Sequence, residues 1–488
     1  MFKAQKNKKA STAIIALIGV LFGFLLDGCK EDQLLENQTP DTHLSIEKIN
    51  LTGENRLNSS VYITWYGTDV DGRIIGYEFS TDNSNWFFTT RRDSVFRFDI
   101  EPGKDTTDID FYVRSIDDKD ARDETPAHLK IPLRNSAPEV HFDDESMPVD
   151  TAFSVVTFRW NFNDPDGNHT VIKALLKANN GSWVEIDRSK FMLSIRPQNA
   201  KQTGVVSANI YYNTDISKVG ATIDGINNNG NNTFYLKVID FAGTESVADT
   251  SESIFVKAQN SDLLLISGQP SNVNQAYGRL VKNSYGSFDA IDFAADNGQY
   301  QPKFWNPTFS LLTELYDKLV LNADQSLFTN SITGQSGLLL EFAAPVLQNY
   351  NNKGGKSFII TSFPAGYVPT PISGAVPIDS LSTTSGQAVI YRDSSIFSSD
   401  ATWPTLQPGN NVILGLDPFV PSVDGEAIYQ AQISTFGAWK GSNVVGAVRK
   451  RNGKINQVFF SVELYLFNKD EAKLNALFDK VLNKEFNW

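Results

Sequence analysis

Hydrophobic and polar residues alternate along the first half of the chain and cluster in continuous runs along the second. In "VYITW" (Val61–Trp65), "FRFDI" (Phe96–Ile100) and "VVTFRWNF" (Val155–Phe162) every second residue is apolar, the period of a strand with one face buried. Clusters of Asp, Asn and Gly close these runs, so several short strands joined by tight turns are predicted. After residue 258 the texture changes. "LLLIS" from Leu263 is apolar without interruption, as in a strand covered on both faces. "FDAIDFA", "YDKLVLNA", "KSFIITS", "NVILGLD" and "QVFFSVEL" follow, with helical spacings between several of them. Strands alternating with helices predict a mostly parallel sheet. Phe342, Ala343, Val346, Leu347 and Tyr350 keep a helical period that Pro345 should kink. In the last segment Asn468 and Glu471 form a predicted capping box, and Leu474, Leu477, Phe478, Val481, Leu482 and Phe486 form one stripe.

The first half contains an internal repeat. "WYGTDVDG" and "WNFNDPDG" align Trp65, Asp69, Asp71 and Gly72 with Trp160, Asp164, Asp166 and Gly167. Trp86 and Trp183 follow turn-forming clusters in both copies, and "FYVRSIDD" from Phe111 matches "FYLKVIDF" from Phe234. The tryptophan strand, DxDG turn, "GYEFS" strand and late "FYVRSID" strand resemble fibronectin type III-like domains over residues 41–258, which implies two immunoglobulin-like sandwiches. The second copy is longer by roughly 28 residues between its tryptophan and its "FYLK" strand. That insertion includes "GINNNGNN" from Gly225, whose composition predicts a flexible loop that either carries a binding surface or is disordered.

Carboxylates two apart in a loop are a start on an oxygen cage for calcium, which makes Asp69, Asp71, Asp164 and Asp166 candidate ligands, with Asp117, Asp118 or Asp240 closing the cage. The competing reading is structural, because Asp and Gly are the commonest turn formers.

The N-terminus bears on location. Lys3, Lys6, Lys8 and Lys9 precede an uncharged run, Ala13 to Leu26, of about 14 residues. That is short of the roughly 20 a spanning helix needs and matches a signal peptide. Leu26-Asp27-Gly28-Cys29 resembles the lipobox of bacterial lipoproteins, although Asp27 is unusual there, and implies lipidation of Cys29. Lys30, Glu31 and Asp32 resemble the surface-export signal of Bacteroidetes lipoproteins. An outer-membrane anchor facing the cell exterior is therefore expected, the periplasmic face being the alternative.

Composition narrows the chemistry. Lys+Arg 43 against Asp+Glu 56 leaves a net charge of −13, so nucleic acid is not expected as a partner. Cys29 is the single cysteine, and the four histidines (His43, His128, His141, His169) all precede residue 260. The C-terminal part therefore lacks the residues of a Cys-His or Ser-His triad. "GGKS" at Gly354 is not a phosphate-binding loop, because the first glycine of that motif would fall on Tyr350.

The order "LLLIS", "YDKLVLNA", helix, "NKGGKSFIITSFPAG" and a closing "VFFSVELYLFNKDEA" resembles class I glutamine amidotransferase-like domains over residues 260–488. The resemblance implies a nucleophile just past the strand that follows the glycine pair. Thr361-Ser362-Phe363 stands there, which makes Ser362 the candidate, with carboxylates such as Glu314 and Asp317 as the alternative. Trp305, Trp403 and Trp439 lie in Pro- or Gly-bearing loops, where they either stack on a ligand such as a sugar or peptide or pack beneath their own loops.

The expected fold is multidomain, two all-β immunoglobulin/fibronectin III-like sandwiches followed by an α/β three-layer (flavodoxin/amidotransferase-like) domain. Its divisions are a signal peptide (1–28), a tether (29–40), the two sandwiches (41–136 and 137–259) and the α/β domain (260–488). The expected function is non-catalytic binding or scaffolding at the bacterial outer membrane, for a glycan, peptide or envelope protein. The alternatives are a hydrolase acting through Ser362 or carboxylates, and a purely structural envelope component.

Overall fold

The computed structural model describes residues 36–46, 59–382 and 386–488. The predicted signal peptide, Cys29, Lys30, Glu31 and Asp32 lie outside these residues. Among the described residues, no helix is long and apolar enough to cross a membrane. The chain divides into two compact units, Met1–Ser136 and Ala137–Trp488.

The first unit is a β-sandwich. Asp41–Ile46, Ser60–Thr68 and Asp93–Arg97 form one antiparallel sheet; Phe87–Thr89, Ile74–Ser80, Thr106–Asp117 and Ala127–Arg134 form the other. Strand alternation places Val61, Ile63 and Trp65 in the core, while Tyr62 and Tyr66 face outward.

The second unit begins with another sandwich. Ala221–Asn228, Gly204–Tyr212, Met192–Pro197, Val156–Asn163 and Glu139–Asp143 form a five-stranded sheet. It encloses a core with Val184–Ile186, Val171–Ala178, Phe234–Asp240 and Asp249–Thr250. The repeat seen in sequence recurs in space. Arg114 lies over the Trp86 ring at 4.0 Å and Lys237, its counterpart, over Trp183 at 4.9 Å.

"GINNNGNN" corrects the loop expectation: Ala221–Asn228 and Gly230–Asn232 are strands, and Asn228 and Asn232 are buried. Their amides substitute for missing backbone partners. Asn228 Nδ2 donates to the carbonyls of Ala200 and Gln202. Asn232 accepts from Asn179 Nδ2 and the Asn227 N–H and donates to the carbonyls of Asn227 and Gly230. Asn is polar enough to be frequent in loops, yet in the interior it can satisfy four backbone or amide groups at once.

From residue 263 an eight-stranded mixed sheet follows, whose strands are numbered here within it: β1 Leu263–Gly268, β2 Asp289–Asp292, β3 Lys318–Ala323, β4 Lys356–Ile360, β5 Ile396–Phe397, β6 Gly425–Ala431, β7 Val444–Arg451 and β8 Lys454–Phe460. Their order is β2-β1-β3-β4-β8-β7-β6-β5, parallel from β2 through β8 and antiparallel thereafter. Every residue of β1, β3 and β4 is buried, as their continuous apolar runs require. Among the described residues helices are few: α1 Ser271–Tyr285, α2 Leu339–Asn352 and α3 Glu471–Asp479, besides short turns. α2 packs with Leu264, Leu321 and Ile359 on one face, and α1 and α3 pack with Leu265, Val320 and Phe358 on the other.

Three local expectations differ. α2 runs through Pro345 without a break. α3 is capped by Asp470, whose carboxylate accepts the Ala472 and Lys473 N–H groups, rather than by Asn468 with Glu471. "NVILGLD" gives only the two-residue strand Val412–Ile413, outside the main sheet.

The second sandwich and the mixed sheet share a core, since Val155 and Tyr211 belong to the apolar cluster of α2. Arg196 donates from Nη1 to Glu314 at 3.0 Å, and Lys201 to Asp262 at 2.6 Å.

Candidate functional site

The parallel strands β3, β4 and β8 end side by side, and the segments that leave them wall a cleft of about 390 Å³. Crevices at the carboxyl ends of parallel strands are where open α/β sheets bind ligands. β4 extends by one residue, as the Thr361 N–H donates to Phe460 O at 3.0 Å. This fixes Ser362 beside the exit of β8. Ser362 Oγ donates to Glu463 Oε1 at 3.0 Å, and the next N–H, that of Phe363, donates to Asp417 Oδ2 at 2.8 Å. Gln325, Gln387 and Trp439 complete the lining, in which Lys, Arg and His are absent among the described residues.

Both carboxyls are harder to ionise than usual. Burial pushes Asp417 up to about 7, against the pull of the Phe363 N–H and with a further push from the charge of Glu463. Glu463 is also raised, by burial first and by the charge of Asp324, while hydrogen bonds from Ser362 and Tyr465 oppose the shift.

The cleft contains two of the residues singled out from sequence, Ser362 and Trp439, and brings to them two that were not, Asp417 and Glu463. A carboxylate directly after a predicted strand, as in "FFSVEL", was the available signal for Glu463. Trp403 lies elsewhere, buried in the core edge-on to Tyr429. Trp305 stacks on Phe342 at 5.8 Å and meets Phe309 edge-on. Glu314 and Asp317 stand at the opposite end of the sheet. Glu314 bridges Arg196 and Lys353, and Asp317 pairs with Lys318 and Lys356.

The first carboxylate of each DxDG motif fastens its own turn. Asp69 Oδ1 accepts the Asp71 N–H at 3.1 Å and Asp164 Oδ1 the Asp166 N–H at 2.8 Å. Asp117 and Asp240, equivalent in the repeat, each accept the N–H four residues on, at 2.7 and 2.8 Å. Burial raises Asp164, and the charges of Asp166 and Asp240 add to it. Among the described residues no group of three or more His, Cys, Asp or Glu is placed to hold a metal ion.

No family model and no curated protein matches the chain. Among solved structures it is similar to the fibronectin(III)-like modules of Clostridium thermocellum CbhA (14% identity, 44% of this chain and 94% of that one, TM-score 0.16). It is also similar to a two-domain fibronectin type-III segment of chicken tenascin (10% identity, 45% of this chain and 100% of that one, TM-score 0.20). A third similarity is to the carbohydrate deacetylase Agd3 (10% identity, TM-score 0.26), with 45% of this chain and 32% of that one covered. At these scores the likenesses carry no functional argument. The β-sandwich, fibronectin III-like character of the chain is the part of its fold that they share.

Proposed function

We propose that this chain is a non-catalytic saccharide-binding protein, lipid-anchored through Cys29 to the outer membrane of a Bacteroidetes-like bacterium and displayed outward by Lys30, Glu31 and Asp32. The two sandwiches act as a stalk, and the C-terminal mixed sheet is a flavodoxin-like layer of degenerate amidotransferase type that holds the ligand.

The observation that carries the binding reading is the occupancy of the Phe363 N–H. In acyl transfer the N–H that follows a nucleophile serves a developing oxyanion. Here a carboxylate already accepts it and would repel an oxyanion. Trp439 lines the cleft while packing partly against the apolar core, an aromatic surface suited to sugar C–H groups, and Gln325, Gln387 and Ser382 bring amide and hydroxyl groups suited to sugar hydroxyls.

The test is titration calorimetry against soluble oligosaccharides. Trp439→Ala is expected to abolish binding without a change in melting, whereas Ser362→Ala retains it. Turnover of an ester, amide or glycoside panel that is lost in Ser362→Ala would replace this reading with the hydrolase one, which the Ser362–Glu463 hydrogen bond favours. Surface proteolysis of intact cells tests the display: wild type should be cut, and a Lys30, Glu31, Asp32→Ala variant protected.

A further inference from the structure

We propose that the ligand of the cleft between β4 and β8 bears a protonated primary amine, so that an amino sugar is preferred to its neutral or N-acetylated counterpart. This rests on the saccharide-binding reading above.

The basis is a charge imbalance that several other carboxylates of the chain do not have. Glu78 is held by Arg114 and Arg122, Glu314 by Arg196 and Lys353, and Asp317 by Lys318 and Lys356. Asp417 and Glu463 face the same cleft, whose lining among the described residues has no Lys, Arg or His, and Asp324 adds negative charge beside Glu463. Buried carboxyls without a cation partner are costly to ionise, and the upward displacement of both groups expresses that cost.

A ligand ammonium removes it. It supplies positive charge and three donors, and Asp417 Oδ1 is available to it because Oδ2 serves the Phe363 N–H. Trp439 lines the same cleft, and an aromatic ring attracts both a cation and the C–H groups of the sugar that carries it. The volume of about 390 Å³ lies at the small end of ligand pockets, about 300–1,000 Å³, which favours a short saccharide over a folded partner. The carboxylates also repel phosphate and uronate groups, so acidic sugars are excluded by the same charges.

The experiment is calorimetry on the full chain at about pH 7.5, above the value of about 7 to which burial pushes Asp417, with three probes: a β-1,4-glucosamine trimer, its N-acetylated counterpart, and a neutral glucose trimer. The expected result is that the glucosamine trimer binds about tenfold or more tighter than either other probe. In an Asp417→Asn, Glu463→Gln variant that preference should vanish while weak binding of all three remains. The amide that replaces the Asp417 carboxyl still accepts the Phe363 N–H, and melting of the variant verifies its fold. Equal affinity for the three probes overturns the amine preference but leaves saccharide binding standing. A preference that persists in the double variant also overturns it, by assigning the effect to the overall negative charge of the chain. Binding of none of the probes overturns both readings.

Discussion

Replacing Asp417 by asparagine isolates the electrostatic cost built into the cleft. The amide is nearly isosteric, and its oxygen still accepts the Phe363 N–H that Asp417 Oδ2 accepts at 2.8 Å. The Asp417 carboxyl titrates at about 7 in the folded chain against an ordinary value of 3.8. Each tenfold difference in proton affinity is worth about 1.4 kcal/mol, so the whole displacement is worth about 4 kcal/mol. The folded protein holds this proton more tightly than the unfolded chain does, so stability contributed by the protonated group is complete below about pH 4 and is lost as the pH rises through about 7. The amide of the variant has no such proton to lose. The stability of the variant minus that of wild type should therefore grow by about 4 kcal/mol between pH 4 and pH 8, then level off. Denaturant titrations read by hydrogen exchange at β4 would follow the transition that contains the cleft, independently of the separate N-terminal unit. A difference that stays flat across that pH range would refute the burial argument, and with it the claim that the cleft holds unbalanced charge.

Other consequences follow from the sandwiches. Asn232→Ala removes four partly buried hydrogen bonds and should cost about 2–4 kcal/mol, measured as lost thermal stability, with no change in ligand affinity. Burial pushes the Glu78 carboxyl up, but hydrogen bonds and charges from Arg122 and Arg114 outweigh it and hold the group below its ordinary range. Its contribution is therefore present above about pH 4.5 and lost as the pH falls, and Glu78→Gln should flatten the acid limb of unfolding in the first sandwich, as followed by circular dichroism. Because Asp69 and Asp164 already fasten their own turns, the melting temperature should be the same in calcium and in chelator. A rise in calcium that Asp164→Asn removes would establish the metal reading instead.

The strands legible in sequence were those whose burial leaves only one solution. β1, β3 and β4 are covered on both faces, so their runs are apolar without alternation. The repeat was legible because Trp65 and Trp160 occupy equivalent core positions and Arg114 and Lys237 equivalent places over tryptophan rings. The Asn-rich segment was misread because composition reports polarity and not partners. Asn228 and Asn232 are as polar as loop residues but spend that polarity on buried carbonyls and N–H groups. The cleft was half legible. Ser362 follows its strand in sequence, whereas Glu463 lies 101 residues further on and reaches it because β8 pairs with β4 while β5, β6 and β7 extend the sheet beyond. Asp417 was hidden inside a run expected to be a strand, and only the failure of that run to join the main sheet frees it to reach the Phe363 N–H.

The two ends of the sheet explain why the cleft suits a cation when sites of this kind often take anions. Where a parallel strand leads into a helix, exposed N–H groups and the positive end of the helix dipole attract phosphates and carboxylates. At the amino ends of β3 and β4 the chain places Lys318 and Lys356 around Asp317, so the carboxylate at that end already has cation partners. At the carboxyl ends the free N–H of Phe363 is the natural anion donor, and the chain fills it with its own Asp417. Glu463 and Asp324 then add charge beyond what that N–H can neutralise. A phosphate entering the cleft would have to displace Asp417 and remain beside Glu463, whereas an ammonium enters with every hydrogen bond of the cleft intact. The internal carboxylate thus converts a position suited to anions into one suited to cations, and this conversion separates the cleft from nucleotide sites built on parallel sheets.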